Sequence, residues 1–144
     1  MEIVRSIEID RRVDDVFDYV ADARNDPDWC SKVISTDLPP GANPGVGARY
    51  AVVHKPLPGR PSRQMTMECR GMQRPDRIEW HEDDGADSFL VVYTLEDLSG
   101  TTLFTQRSVA TLSSPRLLRP LMRHGIGRDI AAQLKRLKAN LEGR

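Results

Sequence analysis

Apolar residues recur along the chain at two periods, and the changes of period mark the elements. Ile3, Ile7 and Ile9, with Arg5 among them, sit at even spacing near the start. A period of two predicts a strand. Val13, Val16, Phe17 and Val20 then fall at i, i+3, i+4 and i+7, one face of a helix. Asp14 and Asp15 lie in its first turn, where negative charge suits the helix dipole. The stretch DARNDPDW, residues 22–29, interrupts this pattern. Pro27 cannot continue a helix comfortably and biases Asp26 away from helical angles. Asp26 followed by Pro27 is also a good helix start. The stretch therefore predicts a joint between two short helices, the second over about PDWCSKV. On this reading Asp22, Asp26 and Asp28 serve helix ends, and Trp29 faces the interior.

After Leu38 the chain reads PPGANPGVG, a turn-rich connection. Strand-like segments follow in series. ARYAVVHK is bounded by the PLPGRP loop. In SRQMTMECRGM, Met65, Met67 and Cys69 alternate with Thr66 and Glu68. RIEWHE sets Ile78 and Trp80 on one face. DSFLVVYTLEDL and TTLFTQRSVATL flank the dipeptide SG, a hairpin turn. The last two segments are long for strands, which predicts a strongly curved sheet. In the tail, Leu118, Met122, Ile126, Ile130, Leu134, Leu137 and Leu141 step by four or three along one helical stripe. Pro120, Gly125 and Gly127 weaken its first half, so a kink or loose winding is expected there. The predicted order is a strand, two short helices, a meander of strands and one long helix, with no internal repeat.

Composition narrows the function classes more than it selects one. The 144 residues suit one domain, 1–144, large enough to bury a core without staples. The 21 basic and 21 acidic residues balance. No global field then favours nucleic acid or an anionic surface, although a local patch can still do so. Two cysteines, Cys30 and Cys69, form no CxxC pair and read as reduced thiols. No signal-like or membrane-spanning apolar run is present, so a cytoplasmic location without stable membrane insertion is expected.

The order of elements, and VFDYVADARNDPDWC in particular, resembles the SRPBCC superfamily of START-like, polyketide cyclase/dehydrase-like and birch-pollen-allergen-like proteins. Val16, Phe17, Val20, Asp22, Pro27 and Trp29 stand at the positions of its V-F/W-x-x-V, Asp and Pro-x-W pattern. The hairpin from Leu95 through Gly100 and Thr101 and the terminal leucine helix match as well. The resemblance implies an α+β helix-grip fold. About six or seven antiparallel strands would curve around the long C-terminal helix, with two short helices after the first strand. It further implies a cavity between sheet and helix that holds a hydrophobic or amphipathic small molecule, a lipid or a polyketide-like compound. A minority of such proteins catalyse cyclisation or dehydration of polyketides. An enzyme of that type is the alternative reading here, ranked below binding.

The candidate site follows from strand alternation. Met65 and Met67 share a face with Cys69, and Phe89, Val91 and Tyr93 share one with Leu95. Leu103, Thr105, Arg107 and Val109 also share a face; if it looks inward, Thr105 and Arg107 place polar groups in an apolar wall, the composition of a ligand pocket. Trp29, Trp80, Met122 and Ile126 complete the expected ligand-binding set. Tyr93, Arg107 and His124 are the candidate acid–base groups. If Trp80 faces the cavity, His81 faces solvent, and His54 and His124 read as ordinary surface histidines, His124 near a cavity mouth. The histidines show no zinc spacing, and no metal site or cofactor is expected. Two clusters of basic residues stand out. Lys55, Arg60, Arg63, Arg70, Arg74 and Arg77 fall in the sheet half. Arg116, Arg119, Arg123 and Arg128 fall on the final helix. Each is a solvated face or a rim for an anionic headgroup. A monomer or homodimer with no nucleic-acid partner is expected. A third reading uses the fold as a protein-interaction surface. The interior can also pack solid, without a ligand.

Overall fold

The structure, a computed structural model, describes residues 1–55 and 61–144. The PLPGRP loop and Arg60 therefore lie almost wholly outside the described residues. Seven strands form one antiparallel sheet: β1 (Glu2–Ile9), β2 (Val33–Asp37), β3 (Arg49–His54), β4 (Arg63–Gln73), β5 (Arg77–Asp83), β6 (Ser88–Asp97) and β7 (Thr102–Thr111). Their order is β1-β7-β6-β5-β4-β3-β2. The helices are α1 (Val13–Val20), the single turn α2 (Asp26–Trp29) and α3 (Arg119–Glu142). Short 3₁₀ turns at Ala23–Asn25 and Arg116–Leu118 precede the last two.

β2 is an element that hydrophobic period alone does not announce. The predicted second helix ends at Trp29 instead of running on to Val33. Cys30 turns to an extended conformation, and the run Val33-Ile34-Ser35-Thr36, three of its four residues β-branched, pairs with β3. Val and Ile lose rotamer freedom in a helix and fit a pleated surface. The β6–β7 turn follows its sequence signal. Ser99 and Gly100 both take positive φ, 66° and 115°, and the Leu98 N–H donates to the Thr101 carbonyl at 2.9 Å. Positive φ at both central residues is the tight-hairpin geometry whose twist matches that of the strands.

α3 runs unbroken from Arg119 to Glu142, through Pro120, Gly125 and Gly127, so the expected interruption does not occur. Pro120 sits within the first turn, where its missing N–H costs nothing. Gly127 answers a steric need. Arg5 extends from β1 across the helix, and a Cβ at Gly127 would meet its Nη2 at 2.5 Å. From there on the stripe is buried: Ile130, Leu134, Leu137 and Leu141 are at most 5% exposed. Burying each such side chain contributes roughly 1.5–3 kcal/mol. The first part of the stripe leaves the core, with Met122 and Ile126 half-buried and Leu118 exposed.

Candidate functional site

The inner face of the sheet is set by register. Trp80 on β5 lies opposite Cys69 and Val91, and Tyr93 on β6 lies opposite Ile78 and Gln106. Facing residues of an antiparallel pair point to the same side. Met65, Met67, Trp80, Val91 and Tyr93 are all buried there, and Phe89 packs half-buried against them. Trp29 comes down from α2. Its ring lies 6.0 Å from that of Tyr93 and 6.4 Å from that of Phe104, edge-on to the latter. Trp80 continues the cluster to Tyr93 at 6.4 Å and to Tyr50 at 5.9 Å. These are favourable tilted and edge-to-face distances.

β7 presents the opposite face from the one expected. Thr102, Phe104, Gln106, Ser108 and Ala110 are buried, while Thr105 and Arg107 point outward. Thr105 Oγ1 shares a hydrogen bond with Ser6 Oγ at 2.8 Å, and the exposed Arg107 pairs with Glu2 at 2.7 Å. Neither reaches the interior. The inward polar groups of this strand are Gln106 and Ser108. Gln106 Nε2 donates to Ser108 Oγ at 3.3 Å. His124 is exposed on α3, whereas His54, expected at the surface, is half-buried, and its Nε2 finds no partner among the described residues. Burial above all, with the nearby Arg63 and Lys32 charges, lowers the His54 pKa. Trp80 faces inward and His81 lines an outer recess.

The aspartates of DARNDPDW divide between two roles. Asp22 does serve a helix end: its carboxylate accepts from the Arg24 N–H at 3.1 Å and pairs with the Arg24 guanidinium at 2.8 Å. Asp26 does not. It is the first residue of α2, and its side chain is 7% exposed with Oδ1 unpartnered among the described residues. Burial first, then the charges of Glu82 and Asp22, push its pKa well above the ordinary carboxyl range. Trp29 Nε1 tempers that rise by its proximity, yet it completes no hydrogen bond there.

Glu82 on β5 is the second inward carboxyl, a residue that the sequence reading passed over. It retains some solvent-accessible surface, yet enough protein surrounds its carboxyl to push the pKa up to about 7, against an opposing effect of Arg63. Tyr93 and Cys30 share this environment. Burial raises both, and the charges of Asp26 and Glu82 add to it. Tyr50 is pushed up to about 12, again mainly by burial. The interior thus gathers two carboxyls, a thiol and two phenols whose proton-carrying forms burial favours, with Glu82 about half-ionised near pH 7. A neutral carboxylic acid in such a place donates a hydrogen bond or a proton.

Other polar atoms join them. Trp29 Nε1, Trp80 Nε1, Tyr50 Oη, Gln106 Oε1 and Thr36 Oγ1 are buried without a partner among the described residues. Each such group costs roughly 1–3 kcal/mol while unmatched. Two open recesses, by contrast, lie mainly over outward residues of β3–β5. One, of about 770 Å³, is lined by residues including Ala51, Gln64, Thr66 and His81; the other, of about 360 Å³, lies beside Leu38 and Pro39. Among the described residues no group of three or more His, Cys, Asp or Glu side chains is placed to hold a metal. Cys30 and Cys69 are both buried free thiols. Among the described residues no helix is long and apolar enough to cross a membrane.

A seven-stranded antiparallel sheet closed over a long C-terminal helix, with short helices after the first strand, is the helix-grip architecture. The chain belongs to the family described as polyketide cyclase / dehydrase and lipid transport, whose match spans residues 1–142. Similar solved structures carry the same fold at low identity. The Thermus thermophilus protein TTHA0849 superposes with a TM-score of 0.79 at 16% identity, over 99% of this chain and 98% of that one. A START superfamily protein from Mycobacterium smegmatis gives 0.79 at 14%, over 99% and 97%. The di-domain ARO/CYC protein BexL of the BE-7585A biosynthetic pathway gives 0.75 at 17%, over 99% of this chain but 46% of its own. A comparison with curated proteins finds no match.

Proposed function

We propose that the interior between the sheet and α3 binds a hydrophobic or amphipathic small molecule, a lipid or a polyketide-like compound. The observation that carries this reading is the set of partnerless polar atoms inside an aromatic core: Asp26 Oδ1, Trp29 Nε1, Tyr50 Oη, Trp80 Nε1 and Gln106 Oε1. A core selected for stability alone pairs such atoms or replaces them with apolar ones. A ligand that carries a few oxygens on an apolar skeleton would satisfy them, which is the usual composition of a small-molecule site. Membership of a family described by polyketide cyclisation and lipid transport supports the same class. Native mass spectrometry of the purified protein, with displacement of a fluorescent fatty-acid probe, tests it. Uptake of one ligand per chain is expected; failure to take up either apolar or oxygenated probes would overturn the reading.

A second reading, an acid–base enzyme acting on a polyketide-like chain, is favoured by one observation. Glu82, at about 7, sits where a general acid or base works best near neutral pH, with Asp26 and Tyr93 as proton donors beside it. In this reading Glu82 replaces Arg107 and His124 among the acid–base candidates, and Tyr93 stays. Glu82→Gln would then keep ligand binding and lose turnover of an oligoketide substrate. Turnover equal to wild type would remove Glu82 from the mechanism.

A further inference from the structure

Most described arginines of the sheet half are ion-paired. In the sheet half, Arg63 pairs with Asp84 and Asp87, Arg70 with Glu68, and Arg74 with Asp18. At the start of α3, Arg116, Arg119, Arg123 and Arg128 form no ion pair among the described residues. The segment 115–128 contains no acidic residue at all. Within it, Leu117, Leu118 and Leu121 are 92%, 49% and 72% exposed, and Leu117 and Leu121 are the two most exposed large apolar side chains described. Leu121 follows Leu118 and Leu117 by three and four residues, the spacing at which helical side chains adjoin. Arg116, Arg119 and Arg123 repeat at the same intervals, so an arginine stripe runs beside the leucine stripe.

Scattered exposed apolar residues are ordinary. Three leucines together, flanked by unpaired arginines in a chain of zero net charge, are not. Burying them against a protein would also require acidic partners for the arginines. An anionic bilayer surface supplies both demands at once, with acyl chains for the leucines and headgroup charge for the arginines. The patch also adjoins the end of the interior where residues are only partly covered. Ser113, just before the segment, donates to Asp87 from its N–H and its Oγ at 2.8 and 2.9 Å. Asp87 closes the β5–β6 turn next to the paired Glu82 and Phe89, and the helical stripe continues from Leu118 through half-buried Met122 and Ile126 into the core.

We propose that the N-terminal end of α3 docks this protein reversibly on anionic lipid surfaces, through Leu117, Leu118 and Leu121 and the arginines beside them. Docking of this kind lies in the interface and spans nothing. It presents the partly covered end of the interior to the bilayer.

Flotation with vesicles of phosphatidylcholine, alone or with increasing phosphatidylglycerol, reads the binding directly. No cavity ligand is added, so the result stands apart from the proposed ligand function. Wild type should float with anionic vesicles, stay behind with neutral ones, and release as salt is raised. Arg116→Ala and Arg119→Ala should each weaken partition about fivefold. Leu117→Ser with Leu121→Ser should abolish flotation even at low salt, with unchanged thermal unfolding because both side chains are exposed. Equal flotation on neutral and anionic vesicles, or no effect of the leucine changes, overturns the proposal. So does a concentration-dependent dimer in sedimentation that the same leucine changes dissolve, since the face then serves a second copy of the chain.

Discussion

Glu82→Gln is the most direct probe of the interior, because glutamine keeps the shape and removes the titration. The unfolded carboxyl titrates near 4.5 and the folded one at about 7. A raised folded-state value means that the native protein holds the proton more tightly than the unfolded chain. Stability from this residue is therefore fully present below about pH 4.5 and is lost as pH rises through about 7. Two and a half pKa units correspond to roughly 3 kcal/mol at most, and the part that falls between about pH 5 and about pH 8 is about 2.5 kcal/mol. The charge of Glu82 also helps to raise Asp26, so its removal flattens the Asp26 contribution in the same direction. Urea unfolding of wild type and Glu82→Gln at a series of pH values measures the difference. The wild type should lose about 2.5 kcal/mol more than the variant across that window. Parallel stability–pH curves would refute the assignment of a buried, proton-holding carboxyl. A carbon-13 titration of the Glu82 carboxyl, with its midpoint expected at about 7, gives an independent reading of the same quantity.

Two further predictions concern α3 and β7. A Cβ at Gly125 would meet nothing within 4 Å, so Gly125→Ala should stabilise α3 by about 1 kcal/mol in urea unfolding, with a smaller gain for Gly127→Ala because the Arg5 guanidinium must move. No gain at Gly125 would mean that this part of α3 is not helical in solution. Gln106→Leu should weaken a hydroxylated or carboxylated fluorescent probe roughly tenfold while sparing a purely apolar one, through loss of the inward amide. Arg107→Ala should leave both affinities unchanged, because its guanidinium faces out toward Glu2. Equal effects of the two changes would contradict the register of β7.

The outward placement of Thr105 and Arg107 on β7 is within reach of the sequence. A two-residue turn at Ser99 and Gly100 forces Leu95 opposite Phe104 and Tyr93 opposite Gln106. Once Tyr93 faces inward, Gln106 must as well. Leu103 and Val109 obscured this, since they give the outer face an apolar look, although both are only partly buried. Apolar character alone chose the wrong side; the turn, read as a constraint on register, chooses the right one. The helix stripe, the meander and the inward positions of Met65, Met67 and Trp80 were legible because their period is long or strictly alternating. β2 and the inward turn of Asp26 were not. Nothing local separates an aspartate that caps a helix from one that α2 carries into the core.

The placement of the carboxylates argues that the interior is arranged for something other than stability. Around β4 and the β5–β6 turn, carboxylates are matched: Glu68 has Arg49 and Arg70, and Asp84 and Asp87 share Arg63. Arg63 holds Asp84 down at about 2. The same arginine does not outweigh the burial of Glu82, and no arginine or lysine pairs with Asp26 among the described residues. Cations are thus available to β5 on its outer side and at its end, while the inner carboxyls stay unpaired and hold their protons to higher pH than ordinary carboxyls do. Sequences are consistent across local and global levels except where function demands otherwise. Here the departures converge: an aspartate at the start of a one-turn helix, a glutamate on a buried strand face and a buried glutamine opposite Tyr93. If these served packing alone, replacing them with apolar residues of similar volume would stabilise the protein at no functional cost. Asp26→Leu combined with Glu82→Leu should instead raise stability above neutral pH and abolish uptake of oxygenated probes, a trade that a purely structural core would not make.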